Sequence, residues 1–194
     1  MISTLAPRFL SPEEVGALGF AECGSDVLID ETVRIVGAGN LHLGSHVRID
    51  AHVLIVASIP LRIGSWVHIA AYCCLEGGGG IEIGDFVGLS SYTCLQSASD
   101  DFSGRALTGP TVPSKYKSLD SGAIVIERHG LVGIKSTLLP GVRINEGGVL
   151  GAHSLAKCDV PAWTICVGVP ARPIRERSRD LLALEAQLRA DGAA

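Results

Sequence analysis

The chain repeats itself, and that repeat limits its fold more than any other feature. The stretch Leu43-Gly44-Ser45-His46-Val47-Arg48-Ile49 returns as Ile63-Gly64-Ser65-Trp66-Val67-His68-Ile69 and again as Ile83-Gly84-Asp85-Phe86-Val87-Gly88-Leu89. Looser copies begin at Ile126 and Ile144. Inside each copy an aliphatic residue recurs at about every sixth position, as in Ile63, Ile69 and Leu75, or Ile126, Val132 and Leu138. This is neither the ~3.6-residue period of a helix nor the strict alternation of a long strand. It describes a short strand and a corner, taken three times per coil, with one aliphatic side chain pointing inward from each side. Such a unit cannot bury its apolar side alone and has to stack on its own copies. The expectation is an all-β chain folded as a parallel β-helix.

Composition agrees with a narrow aliphatic column. Hydrophobic residues make up 47% of the 194 residues but aromatics only 5%, and the 24 glycines suit the many tight corners. The net charge of −4, with no lysine- or arginine-rich run before the tail and no aromatic–basic interleaving, argues against nucleic acid as a partner. No apolar run approaches the ~18 residues of a membrane span, and the first residues lack the apolar stretch of a secretory leader. The six cysteines include no C-x-x-C pair, so they read as reduced, small apolar residues of a cytoplasmic protein, and no metal site is expected.

The repeat is broken once. Residues 97–122, rich in Ser, Asp, Gly and Pro, read as a long inserted loop, and loops of that length in a compact domain are commonly functional. Helices are expected at both ends. Ser11-Pro12-Glu13-Glu14 has the order of a capping box with proline in the first turn. Residues 175–189 carry Leu181, Leu184 and Leu188 at helical spacing. The single domain is therefore expected to comprise a helical cap over 9–25, a β-helix over 26–175 and a helical tail over 176–194.

These coils resemble those of the hexapeptide-repeat acyltransferases, and the resemblance implies a left-handed β-helix, a homotrimer, and acetyl-CoA as co-substrate in the crease between neighbouring subunits, with no permanently bound cofactor. The end of the chain carries it most specifically, through Leu139-Pro140-Gly141-Val142, Val149-Leu150-Gly151-Ala152-His153-Ser154 and Gly168-Val169-Pro170-Ala171-Arg172-Pro173. Carried over residue by residue, Gly133, Ala152 and Ser154 would line the pantetheine arm. Arg172, with Lys157 and Arg175 in support, would meet the CoA phosphates, where an arginine can bind as a bidentate fork.

A narrower resemblance, to the viosamine-type nucleotide-sugar N-acetyltransferases, rests on His68-Ile69-Ala70-Ala71-Tyr72, on Ser97-Ala98-Ser99-Asp100-Asp101-Phe102, on Gly109-Pro110-Thr111-Val112-Pro113 and on Tyr116-Lys117. It implies transfer of acetyl to the 4-amino group of a dTDP-linked 4-amino-4,6-dideoxy sugar for surface-polysaccharide (O-antigen) synthesis. Ser99, Asp100, Asp101, Phe102 and Tyr116 would contact the sugar nucleotide. The attacking amine must be neutral, so a base is needed. His129, next to the loop, and His68 are the candidates, and Asp100 or Asp101 can hold the ammonium form and accept its proton, Asp100 being a third catalytic candidate. One of the two aspartates is expected to fold the loop by an Asx-turn. The loop lacks the histidine found there in related sugar O-acetyltransferases, which favours an amine acceptor. The rivals are another amino-sugar nucleotide or a sugar hydroxyl as acceptor and, more remotely, a zinc protein of the γ-carbonic-anhydrase kind.

Overall fold

The computed structural model describes residues 8–192 and is a parallel β-solenoid of about seven coils. Three sheets form the faces of a triangular prism, with six, eight and six strands. The first face runs from Glu22–Cys23 to Arg143–Ile144, the second from Leu28–Ile29 to Ala171–Glu176, and the third from Arg34–Val36 to Leu155–Ala156. Equivalent residues pair across coils: Leu41 with Leu61, Ile49 with Ile69, Ile55 with Leu75. Because side chains alternate along each short strand, every second residue enters the prism. The inward columns Ile29-Ile49-Ile69-Leu89-Val132-Leu150 and Ile55-Leu75-Leu95-Leu138 are almost completely buried. Shortening one of these side chains to alanine would cost about 2–5 kcal/mol.

The solenoid begins at Glu22, which pairs with His42, rather than at residue 26. The helix α1 spans Pro12–Ala17 with the expected capping box at Ser11 and Glu14. At the other end, Arg175 belongs to a strand. The segment Ala171–Glu176 folds back antiparallel on Thr164–Gly168, and helix α2 covers only Leu181–Ala190. The tail cannot turn helical earlier, because Arg172 to Glu176 are held in that hairpin.

The inserted loop is partly ordered by its own hairpin. Ala98–Asp100 pairs antiparallel with Leu119–Ser121. Its root is Ser97, fully buried, whose hydroxyl donates to the Glu76 carbonyl (2.6 Å) and accepts from the Gly79 N–H (2.9 Å). The Gly122 N–H closes the root on the Ser97 carbonyl at 3.0 Å. Register then resumes, with Ile124 stacked on Ile81.

The corner after the first face carries a stacked ladder: His46 on Trp66 (4.0 Å between centroids), Phe86 on His129 (5.2 Å), and Trp163 near His129 (6.2 Å) across the side-chain-free Gly147. Each of these ring-bearing residues has positive φ, which fits a corner rather than a strand. Helix α2 closes over the ladder through buried Glu185, which accepts hydrogen bonds from Arg128, from His129 Nε2 (2.8 Å) and from Arg189 (2.8 Å). Burial alone would push the Glu185 carboxyl up. The hydrogen bonds from Arg128, Arg189 and His129 outweigh it and bring the carboxyl down to about 2. Since the folded value lies below the ordinary 4.5, the clamp stabilises fully above about pH 4.5 and is lost as the pH falls towards 2. Glu185→Gln should therefore cost about 3 kcal/mol in urea unfolding at pH 7. It should also flatten the acid dependence below pH 4.5, followed by tryptophan fluorescence.

Candidate active site along the second corner

The sequence candidates separate onto different edges of the prism. His68 lies on the outer side of the second face, half exposed, with Nε2 2.8 Å from Asp50 Oδ2. Asp50 also accepts from Arg48 Nε at 2.7 Å. Burial opposes ionisation of Asp50, yet the His68 and Arg48 hydrogen bonds hold its carboxyl below the usual range. Beside this dyad a groove of about 270 Å³ opens towards the corner after the second face, lined by His68, Ala70, Gly88, Ser90, Leu131 and Ile134. The Ser90 carbonyl is fixed by the Thr93 hydroxyl (2.7 Å) and the Cys73 thiol (3.1 Å). Asp50, Ser90 and Ser91 were not among the sequence candidates. The signal is present in the repeat, because Asp50 follows the Arg48–Ile49 strand and Ser90 and Ser91 follow the Gly88–Leu89 strand at the positions that Ala70 and Ala71 hold after His68–Ile69.

Gly133 and Ala152 continue this corner towards the C-terminal end. A Cβ on Gly133 would lie 2.5 Å from the Ala152 nitrogen, so the close approach of two coils requires glycine there. Its N–H is already donated to the Leu150 carbonyl (2.7 Å), leaving the carbonyl as its free main-chain group. Ser154 does not face the groove. It is buried, and its hydroxyl accepts from the Gly168 N–H (2.9 Å) and donates to the Ala152 carbonyl (3.3 Å). It belongs to an inward column with Thr93 and Ser136 whose hydroxyls satisfy corner carbonyls. Arg172 and Arg175 are exposed on the hairpin that ends the second face, in line with the groove. Lys157 lies past the third face, on another corner.

His129 does not join the site. It lies at the first corner, 6% exposed, between Phe86 and Trp163 and bonded to Glu185 beneath α2. The helix that buries it is 56 positions away in the chain, so local sequence could not show the burial.

The loop divides the labour of its aspartates. Asp101 accepts from Ser103 N (2.8 Å), Ser103 Oγ (2.9 Å), Arg105 N (3.0 Å) and Ala106 N (3.1 Å), and these bonds, the Ser103 hydroxyl first, lower its carboxyl pKa. Asp101 folds the loop. Asp100, at the top of the hairpin stem, takes one bond, from Gly109 N at 3.1 Å through Oδ2. Ser99 is half-buried in the same stem, whereas Phe102 is 95% exposed and Tyr116 53%. A cavity of about 550 Å³ beside Tyr116 is lined by Arg105, Lys115 and Lys117. This loop springs from the corner after the third face, so within one chain it is separated from the His68 groove by a whole face of the prism.

Among the described residues, no three His, Cys, Asp or Glu side chains converge to hold a metal ion, and no helix is long and apolar enough to cross a membrane.

No family model matches the chain. The fold superposes with TM-score 0.93 on AntD, an N-acyltransferase from Bacillus cereus solved with dTDP and 3-hydroxybutyryl-CoA. The two are 39% identical over 97% of this chain and 100% of that one. A serine variant of AntD, solved with dTDP-4-amino-4,6-dideoxyglucose and coenzyme A, matches with TM-score 0.91 at 40% identity, over 94% of this chain and 97% of that one. A dTDP-4-amino-4,6-dideoxy-D-glucose acyltransferase of Escherichia coli is 44% identical over 89 residues, 46% of each chain, so the match spans just under half of that curated relative. These matches carry the left-handed β-helix that the family resemblance implied.

Because Gly133 is set by coil spacing, Gly133→Ala should lower unfolding stability by more than about 2 kcal/mol in urea titration. Ala152→Gly should stay within about 1 kcal/mol.

Proposed function

The chain belongs to the hexapeptide-repeat acyltransferase family, and on that premise we propose that it transfers an acetyl group from acetyl-CoA to the 4-amino group of a dTDP-linked 4-amino-4,6-dideoxy sugar. The observation that carries this reading is the alignment, on one edge of the prism, of the His68–Asp50 pair, the Ser90 corner, the Gly133–Ala152 step and Arg172 and Arg175. Between the Ser90 coil and the Ala171–Glu176 strand that ends the second face lie four strand spacings, about 19 Å at ~4.8 Å each. An extended pantetheine arm would run along these steps, with its phosphates at the arginines and its thioester beside His68. AntD was solved with both dTDP and an acyl-CoA, which supports the two-substrate reading. The same complex makes 3-hydroxybutyryl the rival acyl group.

The second substrate belongs to the loop. Asp100, with one oxygen free of protein hydrogen bonds, would hold the ammonium form of the sugar amine. Tyr116 offers a face for the base, and Arg105, Lys115 and Lys117 offer charge for the diphosphate. Since one chain keeps loop and groove on separate edges, the complete site requires the loop of a second copy, and we read the protein as a homotrimer. Phe102 and Tyr116, exposed in the single chain, then have a surface to cover them.

The chemistry follows from these placements. With Nε2–H donated to Asp50, His68 keeps the lone pair on Nδ1. The ammonium first gives a proton to Asp100; the neutral nitrogen then attacks the thioester carbonyl and, as the C–N bond forms, passes a second proton to His68. Ser90 and Ser91 line the groove beside His68, and their hydroxyls would be the donors to the resulting oxyanion. Collapse breaks the C–S bond, forms the amide and expels the CoA thiolate, which takes the proton from His68. Acyl-CoA and nucleotide sugars are cytoplasmic pools, and there the reading places the protein.

Thiol release from acetyl-CoA should be fast with dTDP-4-amino-4,6-dideoxyglucose and slow with its 4-hydroxy counterpart; the reverse order would move the acceptor to a hydroxyl. Asp100→Asn and His68→Ala should each lower kcat about a hundredfold or more. His129→Ala should act on stability first and leave kcat of the surviving enzyme within a few-fold. Light scattering should give three times the 20.2 kDa of one chain.

A further inference from the structure

The outward column of the second face reads Leu28, Arg48, His68, Gly88, Leu131, Val149 in successive coils, by direct strand register. Gly88 has no side chain where its neighbours carry an imidazole and an isobutyl group. We infer that Gly88 sets the length of the acyl chain this protein transfers, by leaving open the side-chain position that lies between His68 and Leu131. The inference rests on the acyl-transfer reading and adds to it the identity of the residue that selects the donor.

Three observations support it. First, the gap is part of the groove of about 270 Å³ next to the His68–Asp50 pair, so it lies where a thioester would react. Second, the gap has one movable wall. A Cβ built at position 88 would come within 3.1 Å of Leu131 Cδ1, the end of a flexible side chain, and meets no backbone. Glycine is therefore not demanded by coil spacing here, in contrast to Gly133, where backbone atoms block any Cβ. Nor does position 88 have the positive φ that would call for glycine. Third, the lining is graded. Leu131 and Ile134, both about 40% exposed, make one wall apolar, while His68 and Ser90 make the other polar. An acetyl methyl leaves most of this space empty. A four-carbon acyl group with a hydroxyl on its third carbon sets its methyl against Leu131 and Ile134 and its hydroxyl towards His68 and Ser90. The bond changes are those of acetyl transfer: the amide forms, the thioester breaks and CoA thiol leaves.

The test is thiol release by the purified protein with dTDP-4-amino-4,6-dideoxyglucose as acceptor and acetyl-CoA, butyryl-CoA or 3-hydroxybutyryl-CoA as donor. The wild type is expected to use the four-carbon donors at least as well as acetyl-CoA. Gly88→Val should lower kcat/KM for the four-carbon donors at least tenfold relative to acetyl-CoA, the scale on which a filled methylene site discriminates. Gly88→Ala should shift the ratio less, and Leu131→Ala should shift it the other way. A wild type that uses acetyl-CoA alone, or donor ratios untouched by Gly88→Val in a protein of unchanged melting temperature, overturns the inference. If no donor releases thiol with this acceptor, the acceptor reading has failed, and calorimetric binding then decides the donor question. Gly88→Val must weaken butyryl-CoA at least tenfold more than acetyl-CoA, and equal weakening overturns it.

Discussion

Everything in this structure rests on one repeated contact, the backbone hydrogen bond from a residue of one coil to the residue just before its counterpart in the next. Gly44 N–H donates to Ile63 O at 2.8 Å, Gly64 to Ile83 at 2.7 Å, and Gly84 to Ile126 at 2.7 Å. The third bond spans the insertion, so the coil after the loop returns to the register of the coil before it. Once the spacing is fixed in this way, a residue's environment is set by its own counterparts above and below. Aliphatic residues become columns, ring-bearing corner residues become a ladder, and glycine is imposed where two corners touch. The candidate edge is another such column, in which Ala70, Ser90, Gly133 and Gly151 follow one another at a single pitch.

The part of the fold written locally was legible in the sequence. Ile63, Ile69 and Leu75 announce three sides and an inward column, and Ser11 to Glu14 announce a capped helix. The sequence also located the loop, because a repeat of fixed length makes an insertion visible as a break in phase. What it could not convey was which corner each residue occupies relative to the others. His129 and His68 both stand in repeat motifs, yet one is sealed against Glu185 and the other is open beside Asp50. Lys157 and Arg172 both look like cations at the CoA end, but a face of the prism divides them. The pair Asp100-Asp101 held the right question, and only the loop's hydrogen bonds tell which carboxylate is spent on the turn.

The same separation explains why the chain reads as part of an assembly. A prism with flat faces offers shallow grooves rather than a deep pocket, and a site that must exclude water from a thioester needs a second wall. In the proposed assembly the hairpin at Ala98–Asp100 would supply such a wall to a neighbour, and its root at Ser97 is buried and doubly bonded although its tip is exposed. The loop is therefore held at a buried root while Phe102 near its tip stays exposed.

The hairpin at the end of the second face has a consequence of a different order. Stacked in-register coils share the geometry of cross-β fibres, and an open terminal coil would offer its edge to the next molecule. Here the last strand, Ala171–Glu176, turns against the run of the sheet and leaves Arg172, Pro173 and Arg175 on the outer rim. Proline has no N–H to offer an incoming strand, and two like charges repel another copy of the same rim. The reversal thus gives the molecule a finite length, and a chain built on endless self-similarity stays a discrete particle.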